Sequence, residues 1–250
     1  MRLIDLTLPS ATNAPLLPAK IYLKNQVKLS ALAVVNKTQL LRLIAQGYDL
    51  DSELDLDYGV MVSKISMPTH GGTNIDAPRH FIEDGIGIDQ VPLSSLVGEC
   101  LVIDAPVKAG GMVELSHVEK YEKDIKSDDM VLIRTGWTEG HFGKPDYLTE
   151  IPGVSEEVAK WFVERRVKAV AHDCFPDIPA FRIPNAPKYP NHTTYLSNQI
   201  VIIESLTNTT QIRSNRFLMV ALPLKLIGSD GAPARVIGIE NVDKTGAYEQ

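Results

Sequence analysis

The sequence has few cysteines and no long apolar stretch. Its two cysteines, Cys100 and Cys174, are too few and too far apart for a disulfide framework or a cysteine metal site. This scarcity favours a reducing, cytosolic setting. No run of about 20 apolar residues is present, and the first residues do not form a signal peptide, so neither a membrane span nor secretion is predicted.

Basic residues are outnumbered by acidic ones. The chain has 25 Lys and Arg against 31 Asp and Glu, which gives a formal net charge of −6. Such a balance argues against a nucleic-acid partner, which would require a basic face, and against an anionic membrane surface. Small molecules remain open as partners.

The composition is that of an ordinary globular protein, since 44% of the 250 residues are hydrophobic and 22% are charged. Buried strands are predicted at 98–105, 130–134 and 168–171, and helices are predicted to begin at Ser116 and Ser155. The whole chain contains many strands and about three helices in mixed order. We therefore predict a single domain, mixed α/β or α+β, rather than a simple doubly wound sheet.

The densest group of polar side chains lies at residues 70–81, which read His-Gly-Gly-Thr-Asn-Ile-Asp-Ala-Pro-Arg-His-Phe. Two glycines and a proline exclude an ordinary helix. The side chains then project from a turn and an extended segment, in which alternate residues share a face. Asn74, Asp76 and His80 would point the same way, and His70 would reach them if the glycine turn folds back.

These residue types suit a catalytic divalent metal, which takes two or three histidine or carboxylate ligands and keeps a position open for water. His70 and Asp76 would supply ligands together with one or both of His192 and Glu204. His80 would then be free to carry protons, because the ordinary pKa of histidine lies near neutral pH. Spacing alone leaves an alternative open, in which this stretch is a polar turn with hydrogen-bonded histidines.

The stretch resembles the signature His-x-Gly-Thr-His-x-Asp-x-Pro-x-His of the cyclase-like metal-dependent hydrolases, a family that includes bacterial kynurenine formamidase and isatin hydrolase. The positions in register are His70, Gly72, Thr73, Asp76, Pro78 and His80. The resemblance covers most of the chain, and its further motifs are residues 4–6, the helix from Ser155, residues 171–173, His192, Glu204 and residues 222–226.

The resemblance implies a fold of the swivelling β/β/α type with a mixed sheet and few helices, commonly assembled as a homodimer. It implies a hydrolase that opens an amide, lactam or formamide with metal-activated water, and it makes His80 the general acid/base. The implied cofactor is a divalent metal, manganese or zinc. The residues assigned to the metal are His70, Asn74, Asp76, His192 and Glu204.

Asn74 departs from this pattern, because the family has its second histidine there. An amide oxygen is a weaker and harder donor than imidazole, so the change favours manganese over zinc and one metal over two. It also leaves open a non-catalytic member that binds a ligand through a degenerate site. Within the enzyme class, a lactone hydrolase or a dehydrating cyclase remains an alternative.

Phe81 and Trp137 are candidates for contact with a flat aromatic group, although each suits a core position equally well. Residues 21–57 are long for the compact start of the family. We expect them to form a lid or a dimer arm within a single domain that spans residues 1–250, and to influence selectivity.

Overall fold

The computed structural model describes residues 1–9, 28–35, 60–179, 183, 185 and 187–241. The chain divides into two compact units, one made of Met1–Pro9, Pro15–Pro18 and Thr69–Gln250, the other of Ser10–Ala14 and Ala19–Pro68. Most of the predicted lid or arm at 21–57 lies outside the described residues, so that prediction and the single-domain boundary both stay predictions.

Strands dominate the described residues. In chain order, β1 to β12 are Arg2–Asp5, Lys28–Val35, Val60–Ser66, Asn74–Asp76, Val97–Asp104, Met112–Val113, Met130–Arg134, Gly153–Val154, Ala169–His172, Val201–Glu204, Arg216–Pro223 and Gly231–Glu240. In the smaller unit, β2 and β3 form an antiparallel pair whose register shifts between Leu32 and Val35.

The helices are short. In chain order, α1 to α6 are Leu93–Leu96, Leu115–Val118, Trp137–His141, Asp146–Thr149, Glu156–Glu164 and Pro190–Ser197. Single 3-10 turns lie at Pro78–His80, Ile88–Gln90, Glu119–Tyr121 and Thr209–Gln211. Within the described part of the chain, no helix is both long and apolar enough to cross a bilayer.

One sheet of the larger unit closes on itself. Its hydrogen-bonded order is β1-β12-β11-β5-β7-β9-β10-β4, and β4 pairs again with β12. The strands from β12 round to β4 therefore form a ring, with β1 lying beside β12. The strands β5, β7, β9 and β10 are parallel to their neighbours in this group, and the remaining pairings are antiparallel. The predicted mixed α/β fold with few helices is confirmed.

The two faces of the sheet pack into separate cores. Val102, Leu132 and Ala171 belong to a cluster that draws residues from every strand of the ring and fills its interior. Alternate residues, such as Leu101 and Val131, pack on the other face against helices α5 and α6. Because both faces are buried, the parallel strands are continuous apolar runs in the sequence.

Two predicted helix starts have different outcomes. Ser155 is the N-cap of α5, and Glu156 and Glu157 occupy its first turn, where the helix dipole favours negative charge. The helix expected to begin at Ser116 begins instead at Leu115, because Glu114 takes the cap position and its N–H donates to Nδ1 of His117 at 3.0 Å. The expected number of about three helices was too low, since single-turn helices give no periodic signal.

Asp173, directly after β9, ties three segments together. Its Oδ1 accepts the N–H and the hydroxyl of Thr135, both at 2.7 Å. Its Oδ2 accepts the N–H of Gly136 and the hydroxyl of Thr209, both at 2.8 Å. Burial raises the pKa of Asp173, and these donors oppose that rise. These contacts fix the carboxyl ends of β7 and β9.

Candidate metal centre

Strand β4 pairs with β10 on one edge and with β12 on the other, and it positions the residues of the site. On one edge, Asn74 lies opposite Glu204 of β10. On the other edge, Asp76 lies opposite Gly231, the first residue of β12, and the Ala77 N–H donates to the Asp230 carbonyl at 2.9 Å. This register brings two further carboxylates, Glu204 and Asp230, close to Asp76 from distant parts of the sequence.

His70 reaches β4 because the chain turns back between them. Gly72 has a φ of +68°, which a glycine adopts without strain. A Cβ on Gly231 would lie 2.6 Å from Cε1 of His70, so only glycine leaves room for the ring. The expected folding of the glycine turn is therefore observed, and His70 lies beside both Asp76 and Asp230.

Asp76 is fully buried and faces two histidines. Its Oδ1 lies 2.7 Å from Nδ1 of His70 and accepts a hydrogen bond from the amide nitrogen of Asn74 at 2.9 Å. Its Oδ2 lies 3.6 Å from Nε2 of His192 and makes no hydrogen bond to the described residues. Buried polar atoms rarely lack a partner, so this oxygen needs an explanation.

His192 enters from α6, where the Tyr189 cap has a φ of 55°. Its Nδ1 lies 2.9 Å from Oδ2 of Asp177, and its Nε2 lies 3.3 Å from Oε1 of Glu204. The structure thus brings His192 and Glu204, which are remote from residues 70–81 in the sequence, to the buried carboxylate of Asp76.

His80 lies at the end of the 3-10 turn Pro78–His80. Its ring stacks on that of His70 with centroids 3.8 Å apart and planes inclined by 20°. Its Nδ1 lies 3.5 Å from Oδ2 of Asp230. About a fifth of the His80 side chain is exposed, at 22%, whereas the His70 side chain is 9% exposed. Of the two rings, His80 is the more open to solvent.

The carboxylates change the protonation of the rings. Burial alone would lower the pKa of His70, but hydrogen bonds to Asp230 and Asp76 raise it to about 10. The pKa of His192 also rises to about 10, because Asp177 and Glu204 outweigh burial. The pKa of His80 is lowered, mainly by burial. In the absence of a cation, the raised pKa values favour the protonated, positive form of His70 and His192. The lowered pKa of His80 favours its neutral form.

The donor set suits a divalent cation. Ligand atoms of His70, His80 and Asp230 lie within 4.8 Å of one another, as do those of Asp76, His80 and His192. His80 belongs to both groups, so its ring borders the position of a cation bound at either one. Carboxylate oxygens and imidazole nitrogens are the ligands of zinc and manganese. A cation would give the unpaired Oδ2 of Asp76 a partner. The protons on His70 and His192 would leave when it binds, because ligating histidine is neutral.

The two predicted substrate contacts lie in different surroundings. The Phe81 ring centroid is 4.8 Å from that of His80, 4.9 Å from that of His192 and 5.7 Å from that of Tyr189. Trp137 is 5% exposed, stacks on His141 at 3.7 Å and belongs to a separate apolar cluster with Tyr147, Ile151 and Phe175. Phe81 therefore borders the metal-ligand candidates, whereas the described contacts of Trp137 are those of a core residue.

The sequence reasoning missed Asp177 and Asp230. Asp230 lies in the glycine-rich turn 228–231, whose conformation is evident from sequence, but whose position beside His70 depends on the pairing of β12 with β4. Asp177 lies in the proline-rich stretch 175–190, and no spacing rule connects it with His192. In both cases an aspartate is a residue type expected near a metal site. The histidine that it contacts depends on the tertiary structure and could not be read from the sequence.

Comparison with known proteins finds similarity over most of the chain. The profile of the Cyclase family, described as "Putative cyclase", matches residues 4–176. Kynurenine formamidase of Erythrobacter litoralis is 29% identical over 193 residues, which cover 76% of this chain and 82% of that protein.

Solved structures share the fold. A potential metal-dependent hydrolase with cyclase activity superposes with a TM-score of 0.70 at 26% identity, over 95% of this chain and 96% of that one. Isatin hydrolase A from Labrenzia aggregata gives a TM-score of 0.76 at 22% identity, over 95% and 93% of the two chains, a likeness of fold alone. The family match extends over more than half of the sequence, so this chain belongs to the Cyclase family.

Proposed function

We propose that the protein is a metal-dependent hydrolase that cleaves the C–N bond of a cyclic amide or of an N-formyl aromatic amide. The observation that carries the proposal is the convergence of His70 and His192 on Asp76, with Glu204 beside Nε2 of His192. Oδ2 of Asp76 has no hydrogen-bond partner among the described residues. A buried carboxylate among histidines is typical of a metal centre and unusual for a purely structural turn.

His70, Asp76, His192 and Glu204 would hold one divalent cation, manganese or zinc. A cation bound there would lower the pKa of water and polarise a carbonyl group of the substrate. Asp76 and Glu204 would offset its charge. Asn74 is proposed as a further, weak ligand through its amide oxygen. Because its nitrogen donates to Asp76 at 2.9 Å in the structure, ligation would require the amide to turn over.

His80 is the proposed general acid/base. Since its Nδ1 faces Asp230, its Nε2 is the nitrogen available to reactants. It would take a proton from the attacking water as the oxygen joins the carbonyl carbon. It would return that proton to the leaving nitrogen as the C–N bond breaks, so water is added across the bond with no net change in the protein.

The substrate class is supported by the relatives and by Phe81. The E. litoralis relative is a kynurenine formamidase, and isatin hydrolases share the fold. Phe81 packs against His80 and His192 and would contact a flat aromatic group beside the cation. Trp137 is retained as a weaker proposal for such a contact. Homodimeric assembly, a cytosolic location and a substrate other than nucleic acid or membrane lipid stay predictions.

A substrate panel tests the function directly. We expect the purified protein to hydrolyse N-formylkynurenine or isatin, to lose that activity after treatment with a chelator and to regain it with Mn²⁺, because the chemistry depends on the cation. Product formation is followed by absorbance. Hydrolysis of a dienelactone alone would identify the lactone-hydrolase alternative. Failure with every substrate, together with no uptake of Mn²⁺ or Zn²⁺, would support the non-catalytic alternative.

The substitution His80→Ala separates proton transfer from metal binding. We expect the variant to keep the metal content of the wild type and to lose turnover by a factor on the order of 10² or more, because general acid/base catalysis is removed. Metal analysis and initial rates on the same preparation check both parts. A fully active His80→Ala variant would make His80 a structural residue and refute the proposed proton path.

The substitution Asn74→His tests the effect of the departure from the family signature. Imidazole offers a lone pair that strengthens a second metal position, so we expect native mass spectrometry to show a change from about one metal to about two per chain. The wild type should prefer Mn²⁺ over Zn²⁺ more strongly than the variant does. An unchanged number of metals and an unchanged preference would mean that Asn74 does not control the centre.

A further inference from the structure

The two rings proposed to bind the cation each have a carboxylate on the far nitrogen. In His192, Nδ1 lies 2.9 Å from Asp177, while Nε2 faces Glu204 at 3.3 Å. In His70 the nitrogens are exchanged, because Nε2 lies 2.9 Å from Asp230 and Nδ1 lies 2.7 Å from Asp76. Each ring therefore has one nitrogen facing the common centre and the other anchored behind it.

Such anchoring decides which nitrogen carries a lone pair. A neutral imidazole that donates its N–H to the outer carboxylate must present an unprotonated nitrogen on the other side of the ring. The outer carboxylate also fixes the orientation of the ring and raises its basicity as a ligand. The nitrogen that faces the outer carboxylate is Nδ1 in His192 and Nε2 in His70, so the two rings would ligate a cation through different nitrogens.

The two outer carboxylates are themselves held in place, but to different degrees. Asp177 is fully buried, and its Oδ2 also accepts the N–H groups of Asn191 and His192 at 2.9 and 3.0 Å. The Asp230 side chain is 42% exposed, and its Oδ1 accepts the hydroxyls of Thr69 and Ser229, both at 3.2 Å. Asp177 is therefore fixed by buried backbone, whereas Asp230 is fixed by a surface turn.

We propose that Asp177 and Asp230 are positioning residues, which orient His192 and His70 for cation binding without ligating the cation. Asp230 stands in one of the two groups of possible ligands, but its Oδ2 approaches Nε2 of His70, the ring nitrogen that does not face Asp76. The inference rests on the proposed function, because it assigns a role toward the same centre. Asp230 also contacts the proposed proton carrier, since its Oδ2 lies 3.5 Å from Nδ1 of His80. One exposed carboxylate thus orients both a metal-ligand candidate and the proposed proton carrier.

The chain offers a matched control. His141 and Asp146 form the same kind of contact, with Nδ1 2.8 Å from Oδ2, at a partly exposed position. Neither residue belongs to the donor groups around Asp76. The substitution Asp146→Asn therefore removes a histidine–carboxylate pair of equal geometry without touching the proposed centre.

The test is titration of metal-stripped protein with Mn²⁺ in a calorimeter. We expect Asp177→Asn and Asp230→Asn to bind Mn²⁺ about 10–100-fold more weakly than the wild type, the range typical of such outer carboxylates. We expect Asp146→Asn to bind as tightly as the wild type. Because Asp177 also supports the start of α6, Asp230→Ala provides a second variant at an exposed turn, where folding is less affected.

The outcomes separate the inference from the proposed function. If the wild type takes up neither Mn²⁺ nor Zn²⁺, the proposed function fails. If the wild type binds Mn²⁺ and Asp230→Asn, Asp230→Ala and Asp177→Asn bind it equally tightly, only the positioning role is overturned. An equal loss of affinity in Asp146→Asn would also overturn it, because the effect would then not depend on the site.

Discussion

The site depends on one buried carboxylate that must be compensated. Asp76 is fully buried between His70 and His192, and a carboxylate in such surroundings is costly unless it is paired. Without a cation, protons on the two rings supply the positive charge, which agrees with a pKa of about 10 for each. A divalent cation would replace these protons and would pair the free Oδ2 as well.

The closed sheet makes this concentration of charge possible. Asp76 occupies a three-residue strand that pairs on both edges, so its backbone is fixed by β10 and β12 at once. Glu204 comes with β10, and Asp230 comes with the turn before β12. Rigid strands therefore hold groups that repel one another, and the histidines between them reduce the repulsion. The same packing leaves His80 at the more exposed side, where a substrate could reach it.

The sequence was informative where the signal was local. The run 130–134 is the strand β7, Ser155 is the cap of α5, and the Gly71-Gly72 turn returns His70 to Asp76. The motif and its resemblance also pointed to His192 and Glu204. The outer carboxylates Asp177 and Asp230 were not predictable, because their contacts depend on strand pairing and on the path of a proline-rich loop rather than on spacing.

The distinction between local and tertiary information also applies to the helix starts and to the two aromatic candidates. Single-turn helices such as Leu115–Val118 carry too few residues for a periodic pattern, so their starts depend on capping contacts that the sequence leaves ambiguous. Phe81 and Trp137 looked equivalent in the sequence, but the fold puts one against the site histidines and the other in an apolar cluster. Residue type alone does not show which aromatic side chain borders the site histidines, and contact with a substrate stays a prediction for both.

The most direct test of the account is the metal content of wild-type protein and of Asp76→Asn, purified without chelator and measured by mass spectrometry of the elements. The substitution keeps the size of the side chain and removes its charge. The account predicts about one manganese or zinc per wild-type chain and almost none in a folded Asp76→Asn variant. Equal metal content in the two proteins would contradict it, because Asp76 would then not be the group around which the site is built.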